Sequence, residues 1–391
     1  MLSTVAQPKI GIDMNANSTW KSSGWVRAAI LLGLLYAFFV AIGLMGTAFK
    51  LLGKDAADAL INATSNPFMG LMIGILTTAI VQSSSATTST IVALVSSGGL
   101  SIANAVPMVM GANIGTSVTN LLVSMGYIRK GPEFERAFSG ATVHDFFNVL
   151  TVIILFPIEL TTGYLSRTGM ALAHFFTGTS SISFESPLKI IIHPTTEALR
   201  GFALWATDSH SFASGIVLAV ISFLLLFTAL VLIVRTMKTL MLNRLELAID
   251  RLFGANPIFA LLVGMILTAI IQSSSITTSL LVPLIAAGVM SLETAYPITL
   301  GANLGTTITA LLASLAGDVN GLAIAFTHFM FNATGTLIFF PVPAMRRIPI
   351  GLARALGKMA VRDKRVAIFF IISLFYIVPF AFFGVSRLLG Y

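Results

Sequence analysis

Residues 82–89 read Gln82-Ser83-Ser84-Ser85-Ala86-Thr87-Thr88-Ser89, and residues 272–279 read Gln272-Ser273-Ser274-Ser275-Ile276-Thr277-Thr278-Ser279. The two octets sit inside longer segments, 66–122 and 256–312, which align without a gap at a constant offset of 190 and are identical at about half of their positions. Asn66-Pro67 matches Asn256-Pro257, Gly111-Ala112-Asn113 matches Gly301-Ala302-Asn303, and Gly115-Thr116 matches Gly305-Thr306. Beyond a shortened loop the match resumes at an offset of 184, pairing His144, Asn148 and Pro157 with His328, Asn332 and Pro341. Shared apolar composition can mimic likeness between two helices, but it does not place two polar motifs at one spacing twice. The chain is an internal duplication.

Each octet follows a short apolar run. Residues 68–81 are too few to cross a bilayer, which takes about 20 apolar residues per helix, yet suffice to reach its middle. After the octet the chain is briefly apolar again, and Ser96-Ser97-Gly98-Gly99 then breaks it. This pattern predicts a re-entrant helical hairpin with a polar tip at about 66–98 and a second at about 256–290. Irregular backbone at that depth is tolerated only inside protein or against a wet cavity.

Composition agrees with a membrane chain. Of 391 residues, 56% are hydrophobic and 10% charged, whereas soluble domains carry about 25% charged residues. Segments 28–52, 212–234, 322–340 and 366–383 are apolar enough to span. The predicted fold class is an all-α polytopic membrane protein of two inverted-topology repeats, each with a re-entrant hairpin and spanning helices. Its expected parts are a polar N-terminal segment (1–27), a first repeat (28–160), an outer connecting loop (161–212), a second repeat (213–343), and a basic connector with a C-terminal membrane helix (344–391). Residues 163–176 of the outer loop are apolar enough to dip into the membrane. The N-terminal segment lacks the apolar core and cleavage site of a signal peptide, so the first helix is expected to remain as an anchor.

The net charge of +8 is concentrated in connectors: Arg129, Lys130 and Arg136; Arg235, Lys238, Arg244 and Arg251; and the run from Arg346 to Arg365. With the N-terminus inside, these connectors fall on the cytoplasmic side, as the positive-inside rule requires. The first hairpin then enters from outside and the second from inside, an inverted pair. No aromatic residues interleave with the basic ones, so nucleic acid is not an expected partner. The chain has no cysteine, which excludes disulfides, thiolate metal sites and cysteine nucleophiles. The sequons at Asn17, Asn62 and Asn332 are taken as chance matches, the third lying in a membrane segment.

Residues 66–128 contain no charged residue and no histidine, and Glu293 is the lone charge in 256–312. Two such tips meeting at mid-membrane would supply neutral donors and acceptors. Helix-start N–H groups can hold an anion without lysine or arginine. Amide, hydroxyl and freed carbonyl oxygens suit Na⁺, whose charge would offset the anion's at low dielectric. The stripe of Gly111, Asn113, Gly115, Thr116, Ser117 and Thr119, mirrored by Gly301, Asn303, Gly305, Thr306, Thr307 and Thr309, reads either as site lining or as close helix packing. Asp145, in the spanning segment 137–157, is a candidate cation ligand or a structural partner of His144 or a hydroxyl. Its counterpart is Phe329. His144 and His328 read as hydrogen-bonded packing residues. Residues alone define an inverted-repeat transporter for a small ion or anion. A passive channel remains open, and an intramembrane serine hydrolase is disfavoured by the duplicated serines and the lack of a Gly-x-Ser-x-Gly elbow.

These motifs resemble those of the type II sodium–phosphate cotransporter family, from about residue 28 to the C-terminus. The doubled Gln-Ser-Ser-Ser is that family's hallmark, and Gly140-Ala141-Thr142-Val143-His144-Asp145 is also similar. The resemblance implies sodium-coupled phosphate symport by alternating access in a cell (inner) membrane, with phosphate and Na⁺ as partners and no cofactor beyond the coupling ion. It implies phosphate binding at Gln82, Ser83, Ser84, Ser85, Gln272, Ser273, Ser274 and Ser275. It places Na⁺ at Asp145, Gln82, Gln272, Ser273, Thr306, Thr307 and Thr309, to which the reading of the polar tips and the stripe adds Thr87, Thr277, Asn113, Thr116 and Asn303 as expected sodium ligands. An aspartate at the Asp145 position supports an additional Na⁺ and net charge movement in the family, in the context Ala-x-Ala-x-x-x-Asp; Ser139 stands here for the first alanine. Animal members carry outer-loop cysteines, so their absence and the short termini imply a bacterial member.

Overall fold

The computed structural model describes residues 24–178, 187–250 and 256–388. The described residues are helical and contain no strand. In order they form α1 (Gly24–Thr64), α2 (Pro67–Val81), α3 (Ser84–Ser96), α4 (Ile102–Gly115), α5 (Val118–Met125), α6 (Pro132–Thr162), α7 (Tyr164–Thr177) and α8 (Pro187–Ala206). There follow α9 (Ser211–Asp250), α10 (Pro257–Ile271), α11 (Ser274–Ala286), α12 (Leu292–Ser314), α13 (Val319–Phe339), α14 (Pro343–Arg362), α15 (Lys364–Ile372) and α16 (Val378–Leu388). A π-turn, Ser373–Ile377, joins the last two into one span.

Among the described residues, six helical stretches are long and apolar enough to cross a membrane: Trp25–Gly53, Ile102–Met125, Pro132–Thr162, Ser211–Leu240, Val319–Phe339 and Lys364–Ser386. They sort into inner and outer sets. The most apolar window of Ile102–Met125 is 83% buried within the protein, and that of Lys364–Ser386 only 17%. The outer set presents residues such as Leu32, Leu224, Phe369 and Phe380 outward, the apolar contact surface that lipid requires.

The broken pairs α2–α3 and α10–α11 share one local design. Asn66 and Asn256 cap the first helix of each pair, their side chains accepting from the N–H of Phe68 and Ile258 at 2.9 Å. Pro67 and Pro257 occupy the first turn, where a missing N–H costs nothing. Each first helix has 15 residues and each second 13. At about 1.5 Å per residue the longer reaches ~22 Å, short of the ~30 Å hydrocarbon core. The chain bends by 98° between Asp58–Thr64 and α2.

Glycines set how each pair is anchored. A Cβ on Gly74, Gly111 or Gly115 would overlap the carbonyls of Met108, Leu71 and Ile75, so α2 and α4 touch backbone to backbone. Gly264, Gly301 and Gly305 make the same approach to Ile298, Leu261 and Met265 between α10 and α12. The small-residue stripe thus resolves for its glycines: they are packing contacts.

The halves interlock. Helix α3 packs on α12 and α13 of the second half, while α11 packs on α5 and α6 of the first, and α1 lies along α9. At the centre, His144 and Asn303 meet through Nε2 and Oδ1 at 3.1 Å, and His328 and Asn113 do so at 3.2 Å. Each half therefore supplies the histidine to the other half's asparagine. Asn148 Nδ2 donates to the Asn113 carbonyl at 2.8 Å, and Asn332 Nδ2 to the Asn303 carbonyl at 3.0 Å. The connection between the halves is largely helical, carrying α7 and α8. The basic connector is helical too, since α14 packs on α6.

Candidate functional site

Each Gln-Ser-Ser-Ser motif is a turn between two helices. Gln82 (φ 55°) and Gln272 (φ 62°) adopt left-handed backbone, unusual for a residue other than glycine. Their N–H groups close the preceding helices on the carbonyls of Thr78 and Thr268, each at 2.7 Å. The next residue begins the second helix. Ser83 Oγ accepts from Ala86 N at 3.2 Å, and Ser273 Oγ from Ile276 N at 3.3 Å. Serine suits this place because its oxygen satisfies a helix-start donor that would otherwise be orphaned.

Both turns face one cavity of about 360 Å³. Gln82, Ser83, Ser84 and Ser85 line one side and Gln272, Ser273, Ser274 and Ser275 another; Thr119 and the apolar stretch from Phe227 to Val234 of α9 complete the wall. Among the described residues Arg235 is its one charged lining residue. Two helix N-termini, those of α3 and α11, thus open onto the same space, with Gln82 exposed to it and Gln272 half-buried.

The turns are also bonded across the halves. Ser85 Oγ donates to the Gln272 carbonyl at 3.3 Å and lies 3.4 Å from Thr309 Oγ1. Thr309 Oγ1 donates to Gln272 Oε1 at 2.8 Å, and Ser275 Oγ to the Thr116 carbonyl at 3.4 Å. The Gln272 amide also donates to the Ala269 carbonyl.

The remaining expected residues lie deeper. Thr87 and Thr277 bond back to the carbonyls of Ser83 and Ser273, at 3.1 and 3.3 Å. Thr116 Oγ1 donates to the Ala112 carbonyl at 3.0 Å and Thr307 Oγ1 to that of Leu304 at 2.7 Å, whereas Thr306 Oγ1 is buried without a partner. Asn113 and Asn303 belong to the histidine–asparagine cluster and do not line the cavity. Asp145 is fully buried; one carboxylate oxygen takes the Ser117 hydroxyl and the other has no partner among the described residues. His144, though adjacent in sequence, turns to Asn303.

Asn120 was not among the expected residues. Its amide donates to Thr278 Oγ1 at 2.8 Å, and its Oδ1 accepts from Ser279 Oγ at 2.8 Å, tying α5 to α11. A signal was present: the repeat places Ala310 opposite Asn120, as it places Phe329 opposite Asp145. Arg235 was legible only as part of a basic connector.

Apolar spans around an interlocked polar centre define a multi-pass helical membrane protein with an internal ligand-sized chamber. The Na+/Pi-cotransporter family model matches residues 37–183 and 224–357. Sodium-dependent phosphate transport protein 2A of Rattus norvegicus is 36% identical over 92% of this chain and 68% of its own length. Sodium-dependent phosphate transport protein 2B of Homo sapiens is 34% identical over 92% of this chain and 65% of its own length. The chain belongs to the Na+/Pi-cotransporter family. It spans about two thirds of the length of these relatives. No solved structure matches it.

Proposed function

We propose that this protein is a sodium-coupled symporter of inorganic phosphate, working by alternating access between two inverted halves, each with a re-entrant helix pair. The observation that carries this reading is the convergence of both Gln-Ser-Ser-Ser turns, with two helix N-termini, on one cavity. The family membership and the names of the relatives support the choice of phosphate and sodium.

Phosphate is held by the N–H groups and hydroxyls of Ser83–Ser85 and Ser273–Ser275, with the Gln82 and Gln272 amides beside them. A multivalent anion away from bulk water carries a large desolvation penalty. Sodium ions remove much of it, and the anion reciprocally stabilises the bound cations, so the solutes load together. Unpartnered oxygens of Asp145 and Thr306, and the hydroxyl and carbonyl oxygens of Thr87, Thr116, Thr277, Thr307 and Thr309, are the sodium ligands we assign. Asn113 and Asn303 serve by holding the two halves in register.

With the N-terminus inside, α1 rises to the outer face and α9 descends to the inner one. The cavity wall then runs along the inner half of α9 to Arg235, so this conformation opens towards the cytoplasm. Exchange of the two halves' packing would open it outwards.

Proteoliposomes carrying the purified protein test the function. An inward Na⁺ gradient should drive accumulation of labelled phosphate, K⁺ should not replace Na⁺, and sulfate should compete weakly. Uptake indifferent to the cation would favour a passive anion pathway, and equal competition by sulfate would reassign the substrate.

A further inference from the structure

A second polar cavity, also of about 360 Å³, lies at the other end of α3. It is enclosed by α1, the C-terminal turn of α3, α8, and the turn between α12 and α13. Lys50 of α1 and Lys189 of α8 both line it, together with His193, Thr47 and Ser97. Neither lysine takes part in an ion pair among the described residues. Glu197 lines the cavity as well, but its carboxylate pairs with Arg200 at 3.0 Å; Asp318, at the start of α13, is not among the lining residues and caps Gly321 N at 3.0 Å. The chamber is therefore lined by two lysines that form no ion pair among the described residues, one carboxylate already paired with Arg200, and several hydroxyls.

Its position bears on transport. Helix α3 has 13 residues, so about 18 Å separate this chamber from the Ser83–Ser85 turn. In the chamber's own wall Ser96 is pressed against Gly317 and Gly321, where a Cβ on either glycine would overlap its hydroxyl. Ser96 Oγ also accepts from Asp318 N at 3.4 Å. Under the topology proposed above, the ends of α1 and α3, all of α8 and the α12–α13 turn lie on the outer side.

We propose that this chamber is an outer antechamber that captures an oxyanion, inorganic phosphate in the transport reaction, before the Ser96–Gly317 contact parts. Its sidedness and its ligand rest on the function proposed above. Paired ammonium groups at the rim of a low-dielectric cleft raise the local concentration of a dianion and disfavour Na⁺. The effect acts on capture and is screened by salt over a Debye length of about 8 Å at physiological ionic strength.

Initial uptake rates in intact cells test it. Lys50→Gln with Lys189→Gln should raise the KM for external phosphate about threefold or more at low ionic strength. The kcat and the KM for Na⁺ should not rise, the difference should shrink in high salt, and the Lys→Arg pair should behave as wild type. An unchanged external KM with unchanged salt dependence would overturn the proposal. A readout independent of transport and of variant folding is acylation of Lys50 and Lys189 in the purified wild-type protein, followed by mass spectrometry. Phosphate should protect both lysines where chloride at equal ionic strength does not, and absence of protection would equally overturn the proposal. Wild-type protein that shows protection without sodium-driven uptake would sink the proposed function and leave this site standing.

Discussion

Gln82 and Gln272 hold backbone angles that glycine would adopt without steric cost, at an expense of about 1 kcal/mol each. A residue retained in such a place is there for its side chain. Gln82→Gly and Gln272→Gly should therefore leave the melting temperature in detergent unchanged or raised, while phosphate uptake falls at least tenfold. A loss of stability parallel to the loss of uptake would make the glutamines structural. Asp145→Asn keeps the shape and the Ser117 partner but removes the charge beside a vacant oxygen. We expect less charge moved per phosphate and a shallower Na⁺ dependence, measured by current and tracer uptake on the same cells; unchanged currents would exclude Asp145 as a cation ligand. The octets were readable because their chemistry is local: cap, turn and helix start lie within a few residues. Asn120 was not, since its partner Thr278 is 158 positions away and only a broken repeat match hinted at it.

At the scale of elements, the contact between α2 and α4, and its copy between α10 and α12, is backbone against backbone. Gly111→Ala and Gly301→Ala drive a methyl group into the carbonyls of Leu71 and Leu261, which cannot swing aside as a side chain can. Each should destabilise the protein by about 2 kcal/mol. Gly33→Ala is the control: no atom lies within 4 Å of the added carbon, and replacing a helical glycine there should be neutral or stabilising by up to about 1 kcal/mol. Thermal unfolding of the three variants, side by side, checks both expectations. Spacing alone left the glycine stripe divided between packing and binding, because both uses select small residues. The apolar stretch 163–176 was legible and corresponds to α7, whereas α8 was harder to foresee. It gains its place through tertiary contact with α1, including Tyr36 to Thr195 at 2.5 Å.

For the whole molecule, the cavity wall on α9 makes the direction of opening measurable. The chain has no cysteine, so Val231→Cys introduces a single thiol on the cavity wall. A membrane-impermeant thiol reagent should label it from the cytoplasmic face, and Na⁺ with phosphate should slow the labelling. Labelling from the external face alone would reverse the assigned topology. Duplication was legible over 66–157 and 256–341, because it is a property of the letters. The exchange of partners between halves was not, since it depends on which copy of a histidine meets which copy of an asparagine. The reciprocal pairs His144–Asn303 and His328–Asn113 carry a historical implication. A single half would leave its histidine Nε2 and its asparagine Oδ1 without these partners, although the asparagine amide keeps a partner within its own half. Before its gene was doubled, an ancestral unit of this kind would have met those two needs against a second copy of itself. Severed halves of the present chain, produced in the same cell, should accordingly find one another again.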